Sequence, residues 1–181
     1  MKIAIDGYCC HRHFGEIYPN SETEPALKLN FWQCLEQAID FDIEGISIES
    51  FMFSHPQAQD VERLKTILKQ HQIELVSAWK YPCDFESGKN LNALDVFKKH
   101  VSSAQKLGAK VMRICAGGRP QDSWQTHKSI LLALIEQATD FAIQYNIIMA
   151  NEIVDLVKCI NHEHFGICLD TAHNLRMLED P

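Results

Sequence analysis

Gly166-Ile-Cys-Leu-Asp170-Thr-Ala-His173 is the stretch on which the reading of this chain turns. An apolar run enters Asp170, breaks, and presents His173 three residues later. Alternation along a strand puts Gly166, Cys168 and Asp170 on one face and Ile167 and Leu169 on the other. In parallel α/β proteins, ligands bind at the carboxyl ends of the strands. A carboxylate followed by an imidazole at such an end supplies donors for a divalent metal and contacts for its substrate.

Five comparable units precede this one. Strand-like runs occur at Lys2–Asp6, Gly45–Glu49, Ile73–Trp79, Ala109–Cys115, Asn146–Ala150 and Phe165–Asp170. Apolar residues at helical spacing lie between them. Leu27, Phe31, Leu35 and Ala38 mark the first helix, Val61, Leu64, Ile67 and Leu68 the second, Leu94, Phe97, Val101, Ala104 and Leu107 the third, and Ile130, Leu131, Leu134, Ile135 and Ala138 the fourth. Gly108 stands where a helix stop belongs, and Asp122 or Ser123 is a candidate cap for the fourth helix. Repeated β-α order predicts a parallel sheet with right-handed crossovers.

No Gly-x-Gly-x-x-Gly or Gly-Lys-Ser/Thr loop follows any strand, and Gly117-Gly118 is too little for a phosphate fingerprint. The barrel therefore gains over the nucleotide-binding sheet. The expected fold is α/β, of the (β/α)8 TIM-barrel type, incomplete, with about six units in a single partial domain over residues 1–181. One unit is short. The first four strand-to-strand intervals run from 28 to 43 residues, but only 19 separate Asn146 from Phe165. A complete unit takes about 30 residues. Asn151–Ile160 supplies a helix, so the missing part is the loop after the fifth strand.

Composition narrows the function classes. The 181 residues are 46% hydrophobic and 23% charged, as in an ordinary globular protein. A net charge of −7 disfavours nucleic acid as a partner. Seven Cys without a Cys-x-x-Cys pair argue against a structural zinc site and for a reducing, cytoplasmic setting. No charged-then-apolar leader and no apolar run near 18 residues points to a membrane.

Strand parity names the interior polar residues. Asp6 goes with Ala4 and Tyr8, Glu49 with Ser47, and Arg113 with Val111 and Cys115. Polar groups at several strand ends suit a catalytic barrel face, although interior Arg and Glu can also simply pair with each other. His11 and His13 follow the first strand and read as solvated loop residues that are also placed to touch substrate. Trp79 reads as packing ahead of a wall for a sugar.

Four motifs carry a resemblance that spans nearly the whole chain: the sixth-strand stretch above, Ile5-Asp-Gly-Tyr8, Phe41-Asp-Ile-Glu-Gly-Ile-Ser-Ile-Glu49, and Leu107-Gly-Ala-Lys-Val-Met-Arg-Ile114. Together they resemble the xylose-isomerase-like TIM-barrel superfamily, the sugar phosphate isomerase/epimerase group. The resemblance implies one divalent metal at the barrel mouth, Mn²⁺ first, with Mg²⁺, Co²⁺ or Zn²⁺ as alternatives. Its ligands in that group are a Glu ending the fifth strand, an Asp ending the sixth, a His on the seventh and a Glu on the eighth. Carried over, Asp170 is a metal ligand and His173 a substrate contact. Glu152 of Met149-Ala-Asn-Glu152 becomes a ligand and catalytic acid/base, unless it opens the next helix, where a carboxylate also suits the dipole. Tyr8, Glu49 and Arg113 join His173 as substrate-binding candidates. The seventh and eighth strands are not in this sequence.

The implied activity is metal-dependent isomerisation or epimerisation of a sugar or sugar phosphate. A proton leaves a carbon beside a carbonyl, through an enediolate. Two alternatives stand. An apurinic-endonuclease-like phosphodiester hydrolase is disfavoured by Ser77-Ala-Trp-Lys-Tyr-Pro82, where that group has a Phe-His-Pro-Gly-like stretch. A truncated barrel acting as a binding or assembly module is the non-enzymatic reading. The expected partners are a small sugar or sugar phosphate, no nucleic acid, no membrane, and further copies of the chain paired through an open barrel edge.

Overall fold

A computed structural model describes residues 2–18, 20–53, 56–79, 85–117 and 127–169. The chain clusters into two compact units, one ending at Ala78 and one beginning at Trp79.

In the first unit, β1 (Ala4–Asp6), β2 (Gly45–Glu49) and β3 (Glu74–Trp79, all but its last residue in this unit) are parallel. Ala4 lies opposite Gly45, and Gly45 opposite Glu74. The crossovers are α1 (Phe31–Ile39) and α2 (Ala58–Gln70). In β2, Ile46 and Ile48 enter the buried core together with Leu35, Ala38, Leu64 and Leu68 from the helices. Ser47 and Glu49 take the opposite face by alternation. At the close approach of β1 to β2, a Cβ on Gly7 would fall 2.3 Å from the Ser47 carbonyl oxygen, so only glycine fits there.

The first helix begins later than its apolar spacing predicts. Asn30 caps it, accepting from the Gln33 amide at 3.1 Å, while the Gln33 side chain accepts from the Asn30 amide at 2.9 Å. This reciprocal box fixes the start, and Leu27 is left outside the helix, 72% exposed. Between β1 and α1 the chain forms a 3₁₀ segment, Gly7–Phe14.

The second unit repeats the pattern with β4 (Val111–Ile114), β5 (Ile148–Asn151) and β6 (Phe165–Ile167), again parallel. Its helices are α3 (Ala93–Leu107), α4 (Lys128–Ile143) and α5 (Val154–Ile160). Gly108 ends α3 at φ 88°, as the sequence predicts. The cap expected for α4 at Asp122 or Ser123 is corrected. Those residues lie outside the described ones, and the helix starts at Lys128 behind His127. Its amphipathic stripe shows from Leu131 onward but carries no start signal.

The core of this unit is aromatic at one end. Trp79 meets Phe85 and Phe97 edge-on, with ring centroids 5.1 and 5.4 Å apart, and all three are almost wholly buried. The reading of Trp79 as packing agrees with this placement. Met112, Ile114, Met149, Leu131, Ile135 and Leu156 complete the core.

Strand ends were read too long in most cases. The sixth, expected over Phe165–Asp170, covers Phe165–Ile167 among the described residues, and the Cys168 amide adds one more rung to the Asn151 carbonyl at 2.9 Å. Ile167 and Leu169 share the face that Met149 and Asn151 bury in β5, but they are 46% and 63% exposed. Among the described residues β6 has β5 as its only strand neighbour, and β1 has only β2. No helix among the described residues is long and apolar enough to cross a membrane.

Candidate functional site

The carboxyl ends of β4 and β5 bring two opposite charges together. Register sets Arg113 opposite Ala150, and Glu152, two residues further, shares that face by alternation. Arg113 Nη1 donates to Glu152 Oε1 at 2.9 Å, with the side chains 19% and 18% exposed. At that depth the pair is screened far less than a surface ion pair, and each charge offsets part of the other's lost hydration.

Asn151 holds Glu152 in place. Its Nδ2 donates to the Ile114 carbonyl at 2.9 Å, and its Oδ1 accepts from the Ile153 amide at 2.9 Å. The side chain is 2% exposed, so one buried amide ties the end of β4 to the turn that carries Glu152. Glu152 is therefore not the first residue of the helix: α5 starts at Val154, and Glu152 and Ile153 are the whole of the fifth βα loop. The reading of the sequence missed Asn151. Its signal is a polar residue at the helix-facing parity of an otherwise apolar strand end. Asn151→Ala leaves a buried carbonyl and a buried amide without partners and should cost about 2–3 kcal/mol in a urea melt.

A second loop lies on the end of β4. The Phe85 amide donates to the Cys115 carbonyl at 3.2 Å and the Ser87 amide to the Ala116 carbonyl at 2.8 Å. Glu86, Ser87 and Gly88 all hold positive φ, at 44°, 55° and 91°. Gly117, at φ 103°, packs so closely that a Cβ would lie 2.3 Å from the Ser87 nitrogen. Such backbone persists only where its surroundings fix it.

In the first unit, Tyr8 and Glu49 follow β1 and end β2. Glu49 is wholly buried. Burial pushes the Tyr8 phenol up, the charges of Glu16, Glu49 and Glu22 add to that, and the hydrogen bond with Tyr18 opposes it. The two phenol oxygens are 2.9 Å apart. Tyr8 also stacks on His11, with ring centroids 4.5 Å apart. His11 is not the solvated loop residue expected. It is 9% exposed, with Nδ1 2.7 Å from the Tyr8 carbonyl and Nε2 2.9 Å from a Glu22 carboxylate oxygen. Both ring nitrogens are thus committed within the fold. The partner, Glu22, lies eleven residues away in an irregular segment, with no periodicity to announce it. The His13 Nδ1 accepts from the Leu29 amide at 3.2 Å.

The structure thus places Arg113 and Glu152 together, while Tyr8 and Glu49 lie at the carboxyl ends of the neighbouring strands β1 and β2. Asp170 and His173 lie outside the described residues. Among the described residues no three His, Cys, Asp or Glu side chains converge to hold a metal ion. Glu152, the one expected ligand they include, has Oε1 occupied by the Arg113 guanidinium. By themselves the described residues do not fit a metal centre.

No curated protein matches the chain by sequence. Solved structures do match. One is the probable 3-DHS dehydratase AsbF involved in petrobactin synthesis from Bacillus anthracis, with TM-score 0.72 and 17% identity over 100% of this chain and 67% of that one. Another is the IOLI protein with a binding zinc atom, with TM-score 0.71 and 17% identity over 99% of this chain and 66% of that one. A third is D-psicose 3-epimerase in the presence of D-fructose, with TM-score 0.70 and 15% identity over 97% of this chain and 65% of that one. At these identities the likeness establishes the fold: six βα units of a TIM barrel. The chain spans 55% to 65% of the length of the first structures it matches. The model of the family described as "Xylose isomerase-like TIM barrel" matches residues 35–181. Strand order and this match agree, and the chain belongs to the xylose isomerase-like TIM-barrel family.

Proposed function

We propose that this polypeptide carries the proton-transfer groups of a sugar or sugar-phosphate isomerase or epimerase. The observation that supports it is the Arg113–Glu152 pair, half-buried at adjacent strand ends in a chain of this family. Glu152 is the base: its carboxylate takes the proton from a carbon beside the substrate carbonyl. Arg113 is the electrostatic partner, whose fixed positive charge stabilises the negative charge that passes to the substrate oxygen as the enediolate forms. An ion-paired carboxylate is a weaker base than a lone one. A substrate oxygen that draws on the guanidinium loosens the pair and restores basicity as the proton moves.

A metal-dependent form of the reaction, with Mn²⁺ held by Glu152 and Asp170, is the finer version of this proposal, and the described residues supply no step through it. Proton abstraction is the half-reaction that Arg113 and Glu152 support. The test is incubation with a panel of ketoses and ketose phosphates in deuterated water, with and without added Mn²⁺, read by NMR as loss of the proton beside the carbonyl. Protein-dependent exchange on at least one ketose is expected. No exchange above buffer on any of them, under either condition, would remove the proposal.

A further inference from the structure

Both ring nitrogens of His11 face acceptors. Nδ1 lies 2.7 Å from the Tyr8 carbonyl oxygen, and Nε2 lies 3.1 and 2.9 Å from the two Glu22 carboxylate oxygens. A carbonyl oxygen only accepts, and so does an ionised carboxylate. A neutral imidazole has one N–H and serves one of these partners, whereas the imidazolium has two and serves both. The His11 and Glu22 side chains are 11% and 23% exposed, so solvent replaces a lost contact only in part. The Tyr8 ring also stacks on the imidazole, with centroids 4.5 Å apart and planes 13° from parallel. An aromatic face attracts a cation.

Glu22 carries the other half of the contact. Its carboxylate accepts from the Tyr18 amide at 3.0 Å, and its own amide donates to the Tyr18 carbonyl at 3.1 Å. One carboxylate therefore joins the turn between Tyr18 and Glu22 to the 3₁₀ segment Gly7–Phe14. The two phenol oxygens, on Tyr8 and Tyr18, meet across the same junction at 2.9 Å. The Tyr18 amide first, and His11 after it, hold the Glu22 carboxyl below the usual carboxylate range, so it stays ionised while imidazoles titrate. Arg12 is the other cation that favours the Glu22 charge. Glu16, Glu49 and Glu22 act on the Tyr8 phenol, which burial already pushes up, so that the phenol stays neutral over the same range.

The geometry points to His11 and Glu22 as a pH-operated latch, which ties the Tyr18 turn to the Tyr8 segment while His11 is protonated and releases it when His11 gives up a proton. The direction follows from the donors. On the acid side the ring donates at both nitrogens and its charge attracts the ionised Glu22. As pH rises, one N–H leaves to solvent, one acceptor loses its donor, and the attraction between opposite charges goes with it. At the far acid end, protonation of Glu22 opens the latch as well. As regulation of the site, this rests on the reading of Tyr8 as a substrate contact in the proposed isomerase or epimerase. The latch itself needs no substrate, so its failure is separate from a failure of the ketose exchange assay.

The test is an imidazole proton–nitrogen NMR correlation on the full chain, without substrate, from about pH 5 to pH 9. Amide hydrogen exchange at Tyr18, corrected for the intrinsic rate at each pH, is read in parallel. His11 should carry two ring protons on the acid side and one on the alkaline side. Protection of the Tyr18 amide should fall about tenfold over the same interval, as the charged contact is lost. Glu22→Gln keeps an acceptor for the Tyr18 amide but not the charge. In that variant His11 should lose its second ring proton at lower pH than in wild type. In the exchange assay, the KM of the responsive ketose should rise over the interval in which the latch opens. A His11 that keeps one ring proton, or two, across the whole range would overturn the latch. So would Tyr18 protection that ignores the His11 titration, or a Glu22→Gln protein that titrates as wild type does. A KM that holds steady while the latch opens would overturn its role in the site.

Discussion

Glu152→Gln lowers protein-dependent proton exchange on the responsive ketose by about 10²–10⁴-fold, the usual worth of a positioned general base. The substitution keeps the shape and the acceptor oxygen facing Arg113 Nη1, so the 2.9 Å contact retains a partner. Stability should fall by only about 1–2 kcal/mol, because the pair is about a fifth exposed and solvent weakens it. Arg113→Met probes the same contact from the other side. It leaves the Glu152 carboxylate half-buried without this counter-charge, and exchange should fall by about 10²-fold or more as the enediolate loses its electrostatic support. The measurement is the NMR exchange rate at saturating ketose, set beside the urea midpoint of each variant. A glutamine variant that exchanges at the wild-type rate would show that the base lies elsewhere.

Trp79→Ala has the largest expected effect on folding, about 3–5 kcal/mol. Trp79 is 1% exposed and forms edge contacts with Phe85 and Phe97, each 0% exposed. Truncating it removes the apolar area of an indole and leaves a cavity whose walls are themselves rigid rings. A loss of that size is a large part of the roughly 5–15 kcal/mol that holds a domain together. The check is the urea midpoint with tryptophan-independent detection, such as far-ultraviolet circular dichroism. Trp79→Phe, which keeps an aromatic body, should recover more than half of the loss. A Trp79→Ala protein within about 1 kcal/mol of wild type would mean that the cluster contributes little.

The fold was legible where pattern and burial coincide. Gly45-Ile-Ser-Ile-Glu49 matches its strand residue for residue, because Ile46 and Ile48 are buried and both ends are bounded by turns. The α3 stripe ends at Gly108 for the reason the sequence gives, a left-handed stop. Legibility fails where one interaction overrides periodicity. Leu27 fits the spacing of the first helix, but the Asn30–Gln33 box starts that helix beyond it. The sixth strand reads as Phe165–Asp170, and among the described residues its ladder with β5 covers Phe165–Ile167, where register and not apolarity sets the pairing.

Of the candidate site, strand parity names Arg113, and only the family resemblance names Glu152. The register of β4 and β5 sets them on one face, Arg113 on β4 and Glu152 in the loop just after β5. Their pairing also matches the plain alternative that interior Arg and Glu meet only each other. What separates pairing from chemistry is function, because the same 2.9 Å contact serves both. Asn151 and the His11–Glu22 bond escaped because they depend on tertiary contacts thirty-seven and eleven positions apart, with no periodicity to signal them.

Whether Glu152 and Arg113 act as one catalytic unit is read from a double-mutant cycle on the proton-exchange rate, with Glu152→Gln, Arg113→Met and the combined variant. If base and guanidinium act as one unit, the double variant exchanges no more slowly than the worse single variant, and the coupling amounts to most of the smaller single effect. Fully multiplicative losses, or exchange that neither substitution alters, would leave Arg113–Glu152 as a structural ion pair with no part in proton transfer.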